Sequence, residues 1–493
     1  MSKAKTEAKM TTIFWVGIGL MIFTNLERLK AVEPQTAYGF LIIAAACMFP
    51  VYLWCEGKVG GMPVFPFFSL TYLWTFCLPL LSENPNVLQY SGAEHLQAAT
   101  TVAVFLLSGT AIWYQIVKTS KAPRSYLALG TQGAETFFIG VVLAGAFINM
   151  YLIGGWTGIP DKLFTILRNA ILGLSFLGIF ILAYRSGSGD LGQVKGRFFF
   201  ACLCLNILTA AAGLTLKTAL TLFLLSVIAF VVGGKRLPTL PLILGLVALL
   251  PLHYGKHPMR AKYWEGPAHY VQPWEYPAWF GEWWGHALKE INHEQVRYEV
   301  EEEEKESFVE RSSIIHILMM AQEKIPSQFP HLNGETYSYV LILMIPRAFY
   351  PAKPVSHIGT HTLNIHIKRQ TPEQTEKTTI AWGLLPEAYA NFGVLGCMGV
   401  GGFLGLFYAL ATRLSIGTSA FSTRSMFSVL VLSFALASTE WTAGVYSAAL
   451  FQGTVPVVAM SVLMRVRRSG KPKRRLTSPR RRVSASKSQR KLR

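Results

Sequence analysis

The chain has 493 residues, of which 51% are hydrophobic and only 15% charged, with a mean hydropathy of +0.35 and a formal net charge of +19. A soluble domain carries about a quarter charged residues, so this composition excludes an ordinary globular enzyme and points to a polytopic membrane protein. The charge is local: Arg465 to Arg493 holds fourteen Lys/Arg and no acid, and the rest of the chain is nearly balanced.

In chain order, the opening MSKAKTEAKM is basic and runs directly into an apolar stretch with no clear small-residue cleavage signal, which reads as a retained first helix. Apolar stretches at 11–26, 37–55, 64–82, 96–116, 134–154, 168–184, 198–213, 216–233, 237–252, 389–411, 426–440 and 446–464 read as spans. Several fall short of the ~20 residues that a ~30 Å hydrocarbon core requires. Basic residues test the count. With the N-terminus inside, Lys58, then Lys118, Lys121 and Arg124, then Arg185, Lys195 and Arg197, then Lys235 and Arg236, then Arg413 and Arg424, and finally the tail fall on inward connections. Outward connections carry almost none, except LERLKAVEPQ (26–35), where two bases meet two acids. An eleven- or thirteen-span chain strands a basic loop outside.

The expected fold is therefore an all-α polytopic membrane protein of about 12 transmembrane helices with one large, partly helical extracytoplasmic loop. Residues 1–252 form a bundle of about nine spans, 253–388 the loop, 389–464 about three further spans, and 465–493 a basic, disordered cytoplasmic tail. Such a tail suits nucleic acid or anionic lipid, but just after a last span it reads as an inward anchor, so no nucleic-acid partner is expected. The six cysteines all lie in or beside apolar runs and suggest neither a disulfide framework nor a zinc site.

Ten of the eleven histidines lie in the loop. Its first half, YWEGPAHYVQPWEYPAWFGEWWGH (263–286), is aromatic; Trp and Tyr suit a membrane interface, and one or two of Trp264, Trp274, Trp279, Trp283 and Trp284 also suit stacking on sugar rings. The stretch 290–322 has helical spacing, with Phe308, Ile315, Leu318 and Met319 on one face and the EEEE run 301–304 pointing around the helix as a solvated surface. HIGTH (357–361) sets two histidines four apart but lacks the glutamate of HExxH and a third ligand, so neither metal nor cofactor is expected.

The run YVLILMIPRAFYPAKP (339–354) begins like a membrane helix and breaks at Pro346, which has no amide hydrogen to continue the ladder. Its apolar part is ~12 Å of helix, too short to span, and it delivers Arg347 and Lys353 between prolines. Arg311 stands at the polar-to-apolar boundary of 290–322, and Lys217 at the tight turn in AAGLTLKTAL (211–220). A cation at such depth needs an anionic partner, and no acid is near Lys217 or Arg347 in sequence. A lipid phosphate supplies one; arginine grips it bidentately and lysine as a point charge. Snorkelling to ordinary head groups is the alternative, which the rigid proline context of Arg347 disfavours.

The series RSS (311–313), HLNGETYSYVLILMIPRAFYPAKP (331–354) and GLLPEAYANFGVLG (383–396) resembles, in this order, the motifs of the O-antigen polymerase (Wzy-type) family, over about residues 205–415. Lys217 stands where that family often has arginine. The resemblance implies a metal-independent glycosyltransferase of the bacterial inner membrane, with both termini cytoplasmic. It would polymerise polyprenyl-diphosphate-linked oligosaccharide repeat units into O-antigen, capsule or exopolysaccharide, with the bilayer and a chain-length regulator as further partners. On this reading Arg347 and Arg311, with Lys353 and Lys217, hold the donor diphosphate, and Tyr337, Tyr389 and Asn391 bind substrate. Glu387 or His357 takes the acceptor proton, Glu387 alternatively serving as a structural partner for an arginine. An O-antigen ligase shares the donor and is the nearest rival. A flippase of lipid-linked sugars predicts internal repeats and polar or ionisable residues in several spans, and the sequence displays neither.

Overall fold

The computed structural model describes residues 3–234, 236–264, 269–292, 312–345, 349–463 and 465–469. The chain begins with α1 (Lys3–Ala31), α2 (Pro34–Cys55) and α3 (Val64–Tyr72), the last continuing through a π-helical turn (Leu73–Cys77) and a 3-10 turn (Leu78–Leu81). Then come α4 (Pro85–Leu88), α5 (Gly92–Lys118), strand β1 (Ser125–Leu129), α6 (Thr131–Ile153), α7 (Asp161–Ser188), α8 (Gln193–Ala212) and α9 (Leu216–Gly234). A shorter set follows: α10 (Thr239–Leu249), α11 (Lys256–Trp264), α12 (Tyr276–Asn292), α13 (Ile315–Lys324), α14 (Glu335–Met344), α15 (Ile358–His366) and α16 (Pro372–Lys377). The chain closes with α17 (Leu384–Ser415), α18 (Thr423–Ala437), α19 (Ala443–Leu463) and strand β2 (Arg465–Ser469).

Ten helices are long and apolar enough to cross a membrane, or up to eleven if the pair Thr239–His253 and Lys256–Trp264, bent by 53°, counts as one. The expected spans at 237–252 and 426–440 are the two that fall short of that test. Pro251 and the 3-10 turn at Pro251–His253 end the first, and the second, α18, is 15 residues long. At ~1.5 Å per residue α18 measures about 22 Å, and it sits among other helices with Ser425, Met426, Val429, Leu432 and Ala435 buried.

Large side chains fill the first half of the bundle. Phe65, Phe68, Tyr72, Phe105, Trp113 and Tyr408 form a buried aromatic column between α3, α5 and α17. Where α5 and α17 cross, Gly109, Gly401 and Gly405 admit the close approach, since a Cβ at Gly405 meets the Gly109 backbone. In the second half, Asn206 of α8 donates to the Val142 carbonyl of α6 (2.8 Å) and faces Ser175 of α7 (3.3 Å), while Asn149 reaches Asn206 Oδ1 (3.3 Å). These groups are neutral and satisfied, so they join helices across an apolar medium.

The two ends of the bundle differ. At one, β1 pairs antiparallel with β2, and Leu129 N–H donates to the Phe421 carbonyl (3.0 Å) in the α17–α18 connection. The buried Glu135 carboxylate there is bonded by Arg185 (2.8 Å) and Lys195 (2.7 Å). The start of the basic segment is thus a strand; residues 470–493 lie outside the described residues. At the other end, the segment from α11 to α16 forms a cap on the connections between spans. Val271 N–H bonds the Ile153 carbonyl (3.1 Å), Arg260 donates twice to the Leu214 carbonyl (3.2 and 2.7 Å), and Trp156 Nε1 bonds Gln272 (2.7 Å).

Candidate functional site

Two helices of the bundle are broken beneath the cap. The π turn after α3 leaves main-chain acceptors exposed to it: the Thr75 carbonyl takes the Ile314 N–H (2.8 Å), and the Trp74 carbonyl the Ser312 hydroxyl (3.5 Å). In α17 the break is at Gly393, with φ 65° and ψ −157°, a region open essentially to glycine alone. There the Ala390 and Asn391 carbonyls accept from the main-chain N–H groups of Leu332 and Asn333 (both 3.1 Å). The Asn391 side chain ties the rest: Nδ2 donates to Thr336 Oγ1 (2.9 Å) and the Glu387 carbonyl (2.8 Å), and Oδ1 accepts from Gly334 N–H (3.0 Å). Phe392 stacks on Tyr337, 5.8 Å between centroids. The segments HLNGETY and EAYANFG are therefore joined along their backbones. Irregular backbone at such depth persists only where protein satisfies it again. Gly393→Ala is expected to cost roughly 1–3 kcal/mol, read as a lowered thermal midpoint of the purified protein, because alanine must either strain or close the break and release 331–334.

The residues singled out by sequence divide into those that converge here and those that do not. Asn391 and Tyr337 lie at the junction; the Tyr337 hydroxyl is buried without a hydrogen-bond partner among the described residues, and burial, then the Glu387 charge, push its pKa up. Tyr389 is buried, its hydroxyl 3.4 Å from the Ile325 carbonyl and its ring edge-on to His331. Glu387 is fully buried. One carboxylate oxygen accepts the Ala443 N–H (2.6 Å) at the start of α19, where a negative charge suits the helix dipole, and the Thr336 hydroxyl lies beside it. No lysine or arginine among the described residues pairs with it. Among the described residues its partner is thus a helix end, while its other carboxylate oxygen has no hydrogen-bond partner among them.

Lys353 donates to the Leu343 carbonyl (2.5 Å) and so covers the last turn of α14. Around it Leu341, Ile345, Phe349, Tyr350 and Val355 are exposed, an apolar hook that no other part of the chain covers among the described residues. His357 is exposed at the start of α15, close enough to His361 to help burial lower the His361 pKa. Lys217 lies on the side of the junction where α19 begins. No acid is near it in sequence, but the fold brings Glu440 to 3.2 Å, with the lysine side chain 83% exposed. Arg311 and Arg347 lie outside the described residues, as do Phe308 and the acidic run 301–304. Within the 290–322 stretch, Ile315, Leu318 and Met319 do share the buried face of α13. Of the five cap tryptophans, Trp279 and Trp283 are buried and Trp264 and Trp274 exposed.

Several residues at the junction have no sequence signal of their own. Thr336, Thr360 and Thr442 are buried, the last two 3.3 Å apart. Asn364 bonds Trp382 Nε1 (2.8 Å) and the Ile380 carbonyl (3.0 Å) and so fixes the loop that carries Arg369. A threonine or asparagine in a polar loop looks like any other until the fold buries it.

The fold and this junction define a polytopic, helical membrane protein whose cap is bonded into two broken helices at one end of the bundle. No family model, curated protein or solved structure matches the chain.

Proposed function

We propose that the chain is an inner-membrane glycan polymerase that transfers lipid-linked oligosaccharide from a polyprenyl diphosphate to an incoming repeat unit beneath an extracytoplasmic cap. The observation that carries the reading is the joining of 312–314, 331–344 and 384–393, the three segments of the family resemblance, at the two helix breaks under one cap. Chemistry agrees with it. Diphosphate is already a good leaving group, so the enzyme's task is to stabilise charge developing on the bridging oxygen. Arg347 and Arg311 take that role, with Lys353, which bonds the last turn of α14, six residues beyond Arg347 in the sequence. The exposed apolar residues of the hook suit contact with a polyprenyl chain and the acyl region of the bilayer. His357 is the base in this reading, because it is accessible whereas Glu387 is sealed in the junction.

Twelve crossings fit the same reading. β1 lies with both β2 and Phe421 at one end, so the number of crossings between each pair is even. This parity argues for counting the bent α10–α11 segment and the short α18, which with the ten long helices make twelve. The β1–β2 end carries Lys118, Lys121, Arg124, Arg185, Lys195, Arg413 and Arg424, which supports a cytoplasmic position for it and the opposite face for the cap.

Deleting the gene and resolving the surface glycan on a gel tests the function. The expected result is a ladder collapsed to a single repeat unit. Long lipid-linked chains left unattached indicate a ligase instead, and lipid-linked units retained in the cytoplasm indicate a flippase; either outcome overturns the polymerase.

A further inference from the structure

Arg369 is a cation that the proposed chemistry leaves unused. It follows Lys368, which has φ 56°, and its main chain is pinned: the N–H groups of Arg369 and Gln370 both bond the Asn364 carbonyl (2.8 and 3.3 Å). Asn364 is in turn held by Trp382, and Gln370 Nε2 by the Thr378 carbonyl (3.1 Å) and hydroxyl (3.2 Å). A rigid frame thus fixes the main chain that carries this guanidinium, whose Nη1 is buried and has no acceptor among the described residues. No described carboxylate pairs with Arg369; Glu323, on neighbouring α13, is 3.5 Å from the Tyr90 hydroxyl. Arg369 is half-buried, so only the Nη1 end of the guanidinium is withdrawn from water, and buried donors are rarely left without an acceptor.

The neighbours suit an anion. His316 of α13 lies close enough to Arg369 to feel its charge; burial first, and that charge second, push its imidazole down to about 4, so it is neutral at ordinary pH. His316 Nδ1 is 3.1 Å from the hydroxyl of Ser313, the middle residue of the 312–314 segment docked into the broken α3. Tyr90 approaches from the α4–α5 connection and interacts electrostatically with the same guanidinium. Neutral hydrogen-bonding side chains from α13 and from the α4–α5 connection therefore lie within electrostatic reach of one half-buried guanidinium.

We infer that Arg369, with His316, Ser313 and Tyr90 around it, is a receptor for a phosphate group, specifically the head group of a lipid diphosphate. This rests on the reading that the cap handles such a lipid, and it names a cation for it outside the motif segments. A guanidinium presents paired N–H donors to a phosphate, while lysine at the same point offers charge without the fork.

The test is binding to the full-length protein in detergent with three probes: farnesyl diphosphate, inorganic pyrophosphate and farnesol. Wild type is expected to bind farnesyl diphosphate and not farnesol. Arg369→Ala should bind about tenfold or more weakly, in line with loss of a charge-assisted hydrogen bond, and Arg369→Lys should fall between. Arg369→Gln, checked by elution profile and thermal midpoint, replaces the alanine variant if that one misfolds. Equal binding of pyrophosphate supports the phosphate receptor but assigns it to a soluble anion and overturns the lipid source. Unchanged binding in both Arg369→Ala and Arg369→Gln overturns the receptor while leaving the lipid-diphosphate reading intact. Wild type binding neither phosphate probe overturns both.

Discussion

Arg347→Ala should reduce the surface glycan to a single repeat unit while the protein remains in the membrane at its normal level. A guanidinium facing the leaving diphosphate acts where charge grows in the transition state, and losing one such donor typically lowers a rate by about 10²–10³. A long chain is the product of many successive transfers. A hundredfold loss at each of them removes the upper ladder altogether rather than shortening it slightly. Arg347→Lys should recover little, because lysine restores charge without the two parallel donors. On the proposed mechanism the prolines on either side of Arg347 in the sequence matter for the same reason, because a restricted chain lowers the cost of positioning the group. Membrane fractionation with a glycan gel decides the matter, and a normal ladder from the alanine variant removes Arg347 from the mechanism.

Glu387 carries the second large effect, on stability before activity. Its carboxylate accepts the Ala443 N–H at the start of α19 from within a fully buried junction. Glu387→Ala leaves that amide without an acceptor and opens a void, together worth roughly 3 kcal/mol. Glu387→Gln keeps an acceptor oxygen of the same reach and should stay within about 1 kcal/mol of wild type. Thermal midpoints of the two variants measure this. The glutamine variant also separates anchor from base. It should retain the glycan ladder if His357 takes the acceptor proton, and a folded glutamine variant with no ladder transfers that role to Glu387.

Stability and chemistry meet at the two helix breaks. A break inside a bundle exposes main-chain carbonyls that lipid cannot satisfy. Here the cap satisfies them, through Ile314 at Thr75 and through Leu332 and Asn333 at Ala390 and Asn391. Opening the cap therefore exposes unpaired backbone groups, which biases it toward the closed arrangement. The same contacts bring the polar groups Asn391, Thr336 and Tyr337 together at the end of the bundle beneath the cap.

How much of this was legible in the chain differs from element to element. Ten of the twelve apolar stretches correspond to helices that meet the length and apolarity of a span. That follows because a membrane helix satisfies its own backbone, so its identity is local. The other two are cut short at their ends: α18 lies between the Ser422 cap and the 3-10 turn Ser438–Glu440, and α10 stops at a proline turn and bends into α11. The strand Arg465–Ser469 was not legible, since a five-residue basic run has no pattern of its own and needs β1, more than three hundred residues away, to become a ladder.

By itself the sequence determined that this is a membrane protein, roughly where its helices run, and which short segments around 311, 331–354 and 383–396 deserve a functional reading. Those properties rest on composition, apolar length and order, all of which are local. Only the tertiary structure decided that Lys217 faces Glu440, that Glu387 holds the start of α19, and that the Arg369 Nη1 is buried with no acceptor among the described residues. A charge acquires its role from what the fold places within a few ångströms, and in this chain those partners come from residues tens to hundreds of positions away.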